Sequence, residues 1–358
     1  MNVCFFGAYD PSYPRNRILR EGLHRAGVGV IEVCAYRRRG LSRHARLALA
    51  FLRHGRAADI VFVPEFRHKD VPLAATLKGR RPLVFDPLVS RHDTLVRDWG
   101  LHAEGSAQAR WNEMLDRKTM RRADLVLCDT WAHGALFESL GVSRARLRRV
   151  LVGAEDAFFA VPPPVDSGPV RIVYVGGFLP LHGVPAVIEA LAQLERDAAS
   201  LPEFRVEFVG KGIEFARARE LVERLKVQRV DFAGPVEYAD SPRVLADAHI
   251  VLGAFGASDK AGRVIPHKVY QGVAAGRAVL TGDGAGLREV FEPGVHLDAV
   301  VRDQPAAIAQ GLRILIGDAA RRARLGAAGR ARAVDVATPQ RIGESLRAAL
   351  TGEGSAAP

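Results

Sequence analysis

Strand-length apolar runs alternate with longer stretches of helical periodicity, and the whole alternation occurs twice along the chain. In the first half, apolar runs at 3–6, 28–34, 60–63, 83–85 and 125–128 are spaced by periodic stretches at 15–26, 106–123 and 131–140. That pattern predicts βα units feeding a parallel sheet. It stops at "VPPPVDSGP", residues 161–169, where proline cannot donate to a ladder and glycine loosens the chain. It restarts with "VRIVYVGG", followed by helix 184–195, strand 205–209, helix 213–225 and strands 230–232, 250–252 and 278–280. The expectation is therefore an α/β protein with domains at 1–160 and 170–335 and a linker at 161–169. Residues 336–358 should form a helix that crosses back to the first domain, then a disordered tail, "GEGSAAP". At 358 residues and 48% hydrophobic content, the chain has apolar material for two cores. Ligands of such sheets bind at the carboxyl ends of the strands, here expected in a cleft between the domains.

Charge separates the halves. Residues 1–160 hold 27 Lys and Arg against 17 Asp and Glu, whereas residues 161–358 hold 24 against 23. A basic first half fits a polyanionic partner: nucleic acid, an acidic membrane surface or a phosphorylated acceptor. Nucleic acid is disfavoured, because no helix-turn-helix, zinc-ligand spacing or RNA-binding aromatic signature is present and aromatics are only 7%. Three cysteines, Cys4, Cys34 and Cys128, lie within predicted strands without metal-ligand spacing and read as free thiols of a cytoplasmic protein. "MNVCFFGAYD" reads as a first strand and not a secretory leader, and no apolar run is long enough to span a bilayer. "YRRRGLSRHARLALAFLRHGR", residues 36–56, mixes seven arginines with an apolar stripe. As a helix it would suit either packing on the sheet or peripheral contact with anionic lipid at the inner face of a membrane.

Four segments carry candidate chemistry. Glycine-rich turns follow the first strand of each half, "FFGAYDPSYPRNR" and "YVGGFLPLHGV". Glycine there lets the backbone approach a ligand, and a following helix amino terminus suits an anion. Neither turn has the spacing of a dinucleotide fingerprint or a P-loop. "ASDKAGRVIPHKVYQGVAAG", residues 257–276, sets Lys260, Arg263 and Lys268 in a loop through Gly262 and Pro266, ahead of helix 267–275. Such a group fits a diphosphate, the other reading being a solvated charged loop. In "FDPLVSRHDT", Asp86, His92 and Asp93 follow a strand, where they are candidates for orienting an acceptor hydroxyl, or Asp93 for capping the next segment. No two aspartates lie two positions apart, so the short Asp-x-Asp pair that grips a divalent ion is missing. No metal or cofactor is expected, its charge being supplied by Lys260, Arg263, Lys268 and a protonated His182.

"YVGGFLPLHGVPAVIEAL", "FRVEFVGKG", "VDFAGPV", "LADAHIVLGAFG" and "VIPHKVYQGVAAGRAVLTGDGAGLREVF" occur in an order that resembles the carboxy-terminal domain of retaining GT-B glycosyltransferases of the sucrose-synthase-like class, glycosyltransferase family 4, and within it a bacterial polysaccharide branch. "FFGAYDPSYPRNRILREGL", "VFDPLVSRHDT" and "RRADLVLCDT" match its amino-terminal domain more loosely. The resemblance implies two Rossmann-like domains facing each other across a cleft, and a nucleoside-diphosphate-sugar donor in the second. Gly177, His182, Gly210, Gly212, Val236, Lys260, Arg263, Lys268 and Gln271 would contact that donor. Gly210 and Gly212 would leave room for the base, and the Val236 backbone would meet it. Gly7, Arg15 and Asn16 would line the side of a glycan or lipid-linked acceptor, in cell-surface polysaccharide synthesis. The family's proton acceptor is the leaving diphosphate itself. Two departures stand out: Gly177 and His182 occupy places the family gives to Arg and Lys, and Arg263 and Gln271 replace its two spaced glutamates. A sugar-nucleotide epimerase on the same fold is the alternative within enzymes, and a basic nucleic-acid-binding protein the alternative outside them.

Overall fold

A computed structural model of the chain describes residues 1–38, 40–164, 167–196 and 198–353. Arg39, the middle of the proline-rich linker at 165–166, and the tail from 354 lie outside the described residues. The chain forms two compact units: Met1–Val152 together with helix Pro339–Thr351, and Gly153–Thr338.

The first unit holds β1 (Asn2–Gly7), β2 (Gly29–Cys34), β3 (Ile60–Val63), β4 (Leu83–Phe85), β5 (Leu125–Cys128) and β6 (Leu147–Arg149). They form one parallel sheet in the order β2-β1-β3-β4-β5-β6, with Val3 opposite both Val30 and Ile60. Parallel strands buried on both faces read as continuous apolar runs, and Val3, Cys4, Phe5 and Phe6 are all fully buried. One face packs Cys4, Phe6, Val63 and Phe85 against Leu47 and Phe51 of helix Gly40–Arg53. The other packs Phe5, Phe62 and Val84 against Ile18, Leu19 and Leu23 of helix Pro14–Arg25, and against Ile342 and Leu346 of the last helix. That last helix joins the first unit through glycines: a Cβ at Gly22 would stand 2.4 Å from Pro339 O and 2.7 Å from Gly343 Cα. The arginine-rich segment thus uses only one stripe for packing.

The second unit holds β7 (Val170–Val175), β8 (Phe204–Val209), β9 (Val230–Gly234), β10 (Ile250–Leu252), β11 (Ala278–Gly282) and β12 (Asp298–Val300), parallel throughout, in the order β12-β11-β10-β7-β8-β9. This unit begins at Gly153, eight residues before the expected linker. Helix Asp156–Phe159 belongs to it because Phe158 stacks edge-on against Tyr238, 6.1 Å between ring centres, and the Phe159 carbonyl accepts from Arg330.

The strand orders locate the ligand edges. In each sheet the order reverses direction once, between β1 and β3 in the first and between β7 and β10 in the second. Chains leaving opposite ways at such a point open a crevice at the carboxyl ends of the strands.

Candidate active site

At the β7/β10 switch, β7 runs into Gly176 and Gly177. Gly176 has φ +136°, a region side chains rarely adopt, and a Cβ built there would lie 3.3 Å from Lys268 Nζ. Lys268 is on helix His267–Ala274, 5% exposed, with Nζ 3.5 Å from the centre of the Tyr174 ring. The ammonium has no hydrogen-bond partner among the described residues, and burial pushes its pKa well below the ordinary lysine value. A cation over an aromatic face recovers part of the lost hydration, yet a ring accepts no strong hydrogen bond. The local design is an ammonium held in place by packing, with its donors unspent.

Around it the sequence motif converges. Lys260, also buried, lies on a short helix, Asp259–Arg263, capped by the Ser258 hydroxyl accepting from the Ala261 N–H. The expected loop through Gly262 is therefore helical. Arg263 stands 3.9 Å from Asp259 and is mostly covered. Arg302, which sequence reading missed, holds this segment by donating to the carbonyls of Gly256 at 3.2 Å and Ser258 at 2.7 Å.

His182 corrects an expectation. Tyr174 Oη and His182 Nδ1 both hydrogen-bond the Gly177 carbonyl, and lie 3.0 Å from each other. Because a carbonyl only accepts, Nδ1 carries the proton and Nε2 offers a lone pair. Burial first, then the charges of Lys268 and Lys260, hold the imidazole well below its ordinary pKa. His182 is thus a neutral acceptor and not a fourth cation.

Gly210 and Gly212 do not leave room for a base. A Cβ at Gly210, where φ is +139°, would meet Gly176 O at 2.0 Å, and one at Gly212 would meet the Phe178 backbone at 2.4 Å. These glycines let the turns after β7 and β8 press together. Gly210→Ala is expected to destabilise the protein by about 1–3 kcal/mol, the cost of a side chain in such backbone, and to loosen the Lys268 side of the site. Chemical denaturation of the variant measures it. Gln271 donates to Tyr238 Oη at 3.1 Å, which leaves its carbonyl oxygen as an acceptor, and Val236 lies half-exposed after β9.

In the first unit most of the expected acceptor-side residues turn out to be internal braces. Arg15 is fully buried and grips the equally buried Asp86 at 2.5 and 3.1 Å, while donating to the carbonyls of Val150 and Leu151. Neither can reach a substrate. Asn16, also fully buried, donates to Asp10 O at 2.7 Å and Glu65 Oε1 at 2.8 Å. Gly7, φ +148°, leaves space for Arg67 and Asp70, which a Cβ built there would meet at 3.3 Å. Asp93 is buried at the start of a π-helical turn, Asp93–Asp98, with its N–H on Ser90 Oγ. Only His92, of the three catalytic candidates, is partly exposed.

Two residues absent from sequence reading organise this edge. Asp116, on helix Ala107–Arg122, accepts from Ser90 Oγ at 2.7 Å, Arg91 N at 3.0 Å and His92 N at 2.9 Å, with His68 Nε2 at 3.2 Å. Burial alone would raise its pKa, but His68 and these hydrogen bonds prevail and hold it low. Asp116 thereby fixes the loop that presents His92. Glu65, buried beyond β3, is pushed up to about 8, chiefly by burial and then by Asp86, so it is largely protonated at neutral pH.

Comparison with known proteins agrees with both units. A glycosyl transferase 4-like domain matches residues 2–153, and a glycosyl transferase-like family matches residues 188–348. HepE of Anabaena, solved with UDP, has a similar fold: TM-score 0.74, 18% identity, covering 98% of this chain and all of that one. It has also been solved with UDP-glucose. Sucrose-phosphate synthase of Thermosynechococcus elongatus follows at TM-score 0.71 and 16% identity, covering 98% of each chain. A chitobiosyldiphosphodolichol beta-mannosyltransferase of Yarrowia lipolytica is 31% identical over 130 residues, which is 36% of this chain and 28% of that relative.

Proposed function

We propose that this chain, which belongs to the glycosyltransferases of GT-B fold, moves a sugar from a nucleoside-diphosphate donor held by the second unit to a glycan or lipid-linked acceptor held by the first. The observation that supports this most is the buried Lys268 ammonium with unspent donors at the β7/β10 switch, next to the Gly176 turn, with Lys260 buried on the preceding short helix. A diphosphate supplies the oxygens such a cation needs. In the reaction the acceptor oxygen bonds to the anomeric carbon as the bond from that carbon to the diphosphate breaks. The leaving diphosphate oxygen takes the acceptor proton, and attack on the departing face retains the anomeric configuration. Lys260, Arg263 and Lys268 stabilise the charge that accumulates on the leaving group. The neutral Nε2 of His182 accepts from a donor hydroxyl.

UDP-sugars are the first donors to test, since the similar HepE binds UDP and UDP-glucose. A thermal-shift screen against UDP-, GDP-, ADP- and dTDP-sugars should show one that raises the melting temperature, because ligand on the native state stabilises it. No shift with any of them counts against the donor site. We further propose that transfer needs no metal, fixed cations standing where an ion would. The rate in excess EDTA should then be nearly unchanged; loss restored by magnesium or manganese would refute this.

Membrane contact is the finer part of the proposal. No described helix is long and apolar enough to cross a membrane. Helix Gly40–Arg53 instead leaves Leu41, Leu49 and Leu52 exposed at 86%, 50% and 44%. They recur at helical spacing, with Arg46 and Arg53 among them, as suits an anionic lipid surface.

A further inference from the structure

Beside the braced carboxylates, the first unit carries a feature that the transfer reaction as described leaves unused. A pocket of about 870 Å³ lies at the carboxyl ends of β1, β2 and β3, lined by Tyr36, Arg37, Arg38, Arg43, Arg67 and Lys69 together with the backbone of Ala8 and Gly40. Among the described residues its lining holds five cations and no carboxylate, and it sits at the β1/β3 switch point of the first sheet.

Two of the cations are fixed from behind. Arg67 donates to Ala8 O at 2.9 Å. Arg43 Nε stands 3.2 Å from Asp70 Oδ1, whose other oxygen accepts the Ala8 N–H at 2.9 Å. Asp70 is buried and already shared between a backbone amide and one guanidinium, so it cannot neutralise the other four. The remaining cations are exposed, Arg37 and Arg38 on an anchored turn and Lys69 on the one-turn helix His68–Asp70. Arg37 adopts φ +62° with its guanidinium 5.2 Å from the Tyr36 ring centre, while Tyr36 Oη donates to Asp10 at 2.8 Å. Asp70 and Asp10 offset part of this charge, and holding the excess around one concavity costs repulsion that a further anion relieves. Guanidinium forks match the oxygens of a phosphate ester. The apolar face of helix Gly40–Arg53 begins at the same rim, since Gly40 and Arg43 line the pocket and Leu41 is exposed beside them.

We infer that this pocket takes the phosphoester or diphosphoester head of the acceptor, whose apolar chain leaves along the Leu41 face. The inference rests on the reading of the chain as a transferase with its acceptor in the first unit. The phosphoester of a bulk phospholipid shares this chemistry, and the experiment separates the two sources.

Inorganic pyrophosphate is titrated calorimetrically into Lys268→Met, where the donor site is weakened, and into the same variant carrying Arg37→Gln and Lys69→Gln. Both added positions are exposed, so the fold should tolerate them. One binding event is expected in the first protein, weakened at least about tenfold in the second. Absence of binding in the first, or equal binding in both, overturns the inference. In the wild-type background, Arg37→Gln with Lys69→Gln should sediment with phosphatidylglycerol vesicles as the parent does, whereas Leu41→Ser with Leu49→Ser should not. Loss from vesicles with pyrophosphate binding unchanged would assign the cations to a lipid surface and overturn the acceptor site. Pyrophosphate binding at this pocket in a protein that binds no nucleotide would defeat the transferase reading and leave the pocket standing.

Discussion

Lys268→Met should melt at a higher temperature than the parent while binding its nucleotide sugar roughly ten- to a hundredfold more weakly. The two effects share one cause. The ammonium is buried over Tyr174 without a hydrogen-bond partner, and a buried unpaired charge costs several kcal/mol. Methionine fills similar volume without that cost. A charge-assisted contact to a diphosphate contributes about 1.5–3 kcal/mol, and its loss sets the drop in affinity. The sign of the pH dependence follows from the lowered pKa. In the unfolded chain the lysine keeps its proton up to about pH 10.4. The penalty on the folded state is therefore full below the depressed pKa and fades as pH rises from that pKa toward about 10.4. The melting-temperature gain of Lys268→Met should shrink over the same window. Donor binding to the wild type should take up a proton above the depressed pKa, detectable by calorimetry in buffers of different ionisation enthalpy. A variant that melts lower, or binds donor as the parent does, would show that Lys268 is a packing residue.

Strands and helices were largely legible because parallel strands buried on both faces need unbroken apolar runs. Residues 60–63, 83–85, 125–128 and 250–252 coincide with β3, β4, β5 and β10 to the residue. Two of the four edge strands, β2 and β9, were legible, whereas β6, "LRR", and β12, "DAV", escaped as three-residue strands with charge included, since an edge is covered on fewer sides. Helix Asp259–Arg263 escaped because Gly262 weighs against a helix, although Ser258 was a usable cap signal. The cationic motif was legible as one segment because Lys260 and Lys268 fall on successive helices of a single connection between β10 and β11. Charge state was not legible: nothing in "PLHG" discloses that His182 is enclosed with two lysines. On the acceptor side, polar residues after strands looked available for substrate. Whether Arg15 meets solvent or Asp86, 71 positions away, depends on how the sheet brings β1 beside β3 and β4. Pairing at that distance leaves no local trace.

Asp86→Ala is expected to lower stability by about 3–5 kcal/mol, because it strands the Arg15 guanidinium at zero exposure without its counter-ion. For a unit of this size that is roughly 2–4 °C of melting temperature per kcal/mol, so a fall on the order of 6–20 °C. Activity would be lost with the fold. A catalytic aspartate would behave differently, its removal abolishing transfer in a protein that melts normally. The compensating double variant separates the cases. Arg15→Met with Asp86→Leu replaces a buried ion pair by apolar side chains, an exchange that is often neutral or stabilising when packing is kept. Arg15 also caps the carbonyls of Val150 and Leu151, so recovery should be substantial and short of complete. Thermal melts of the two single variants and the double variant form a cycle whose coupling energy reports the pair directly. Restored melting with restored transfer would place Asp86 in the scaffold. Restored melting with no transfer would return it to the chemistry.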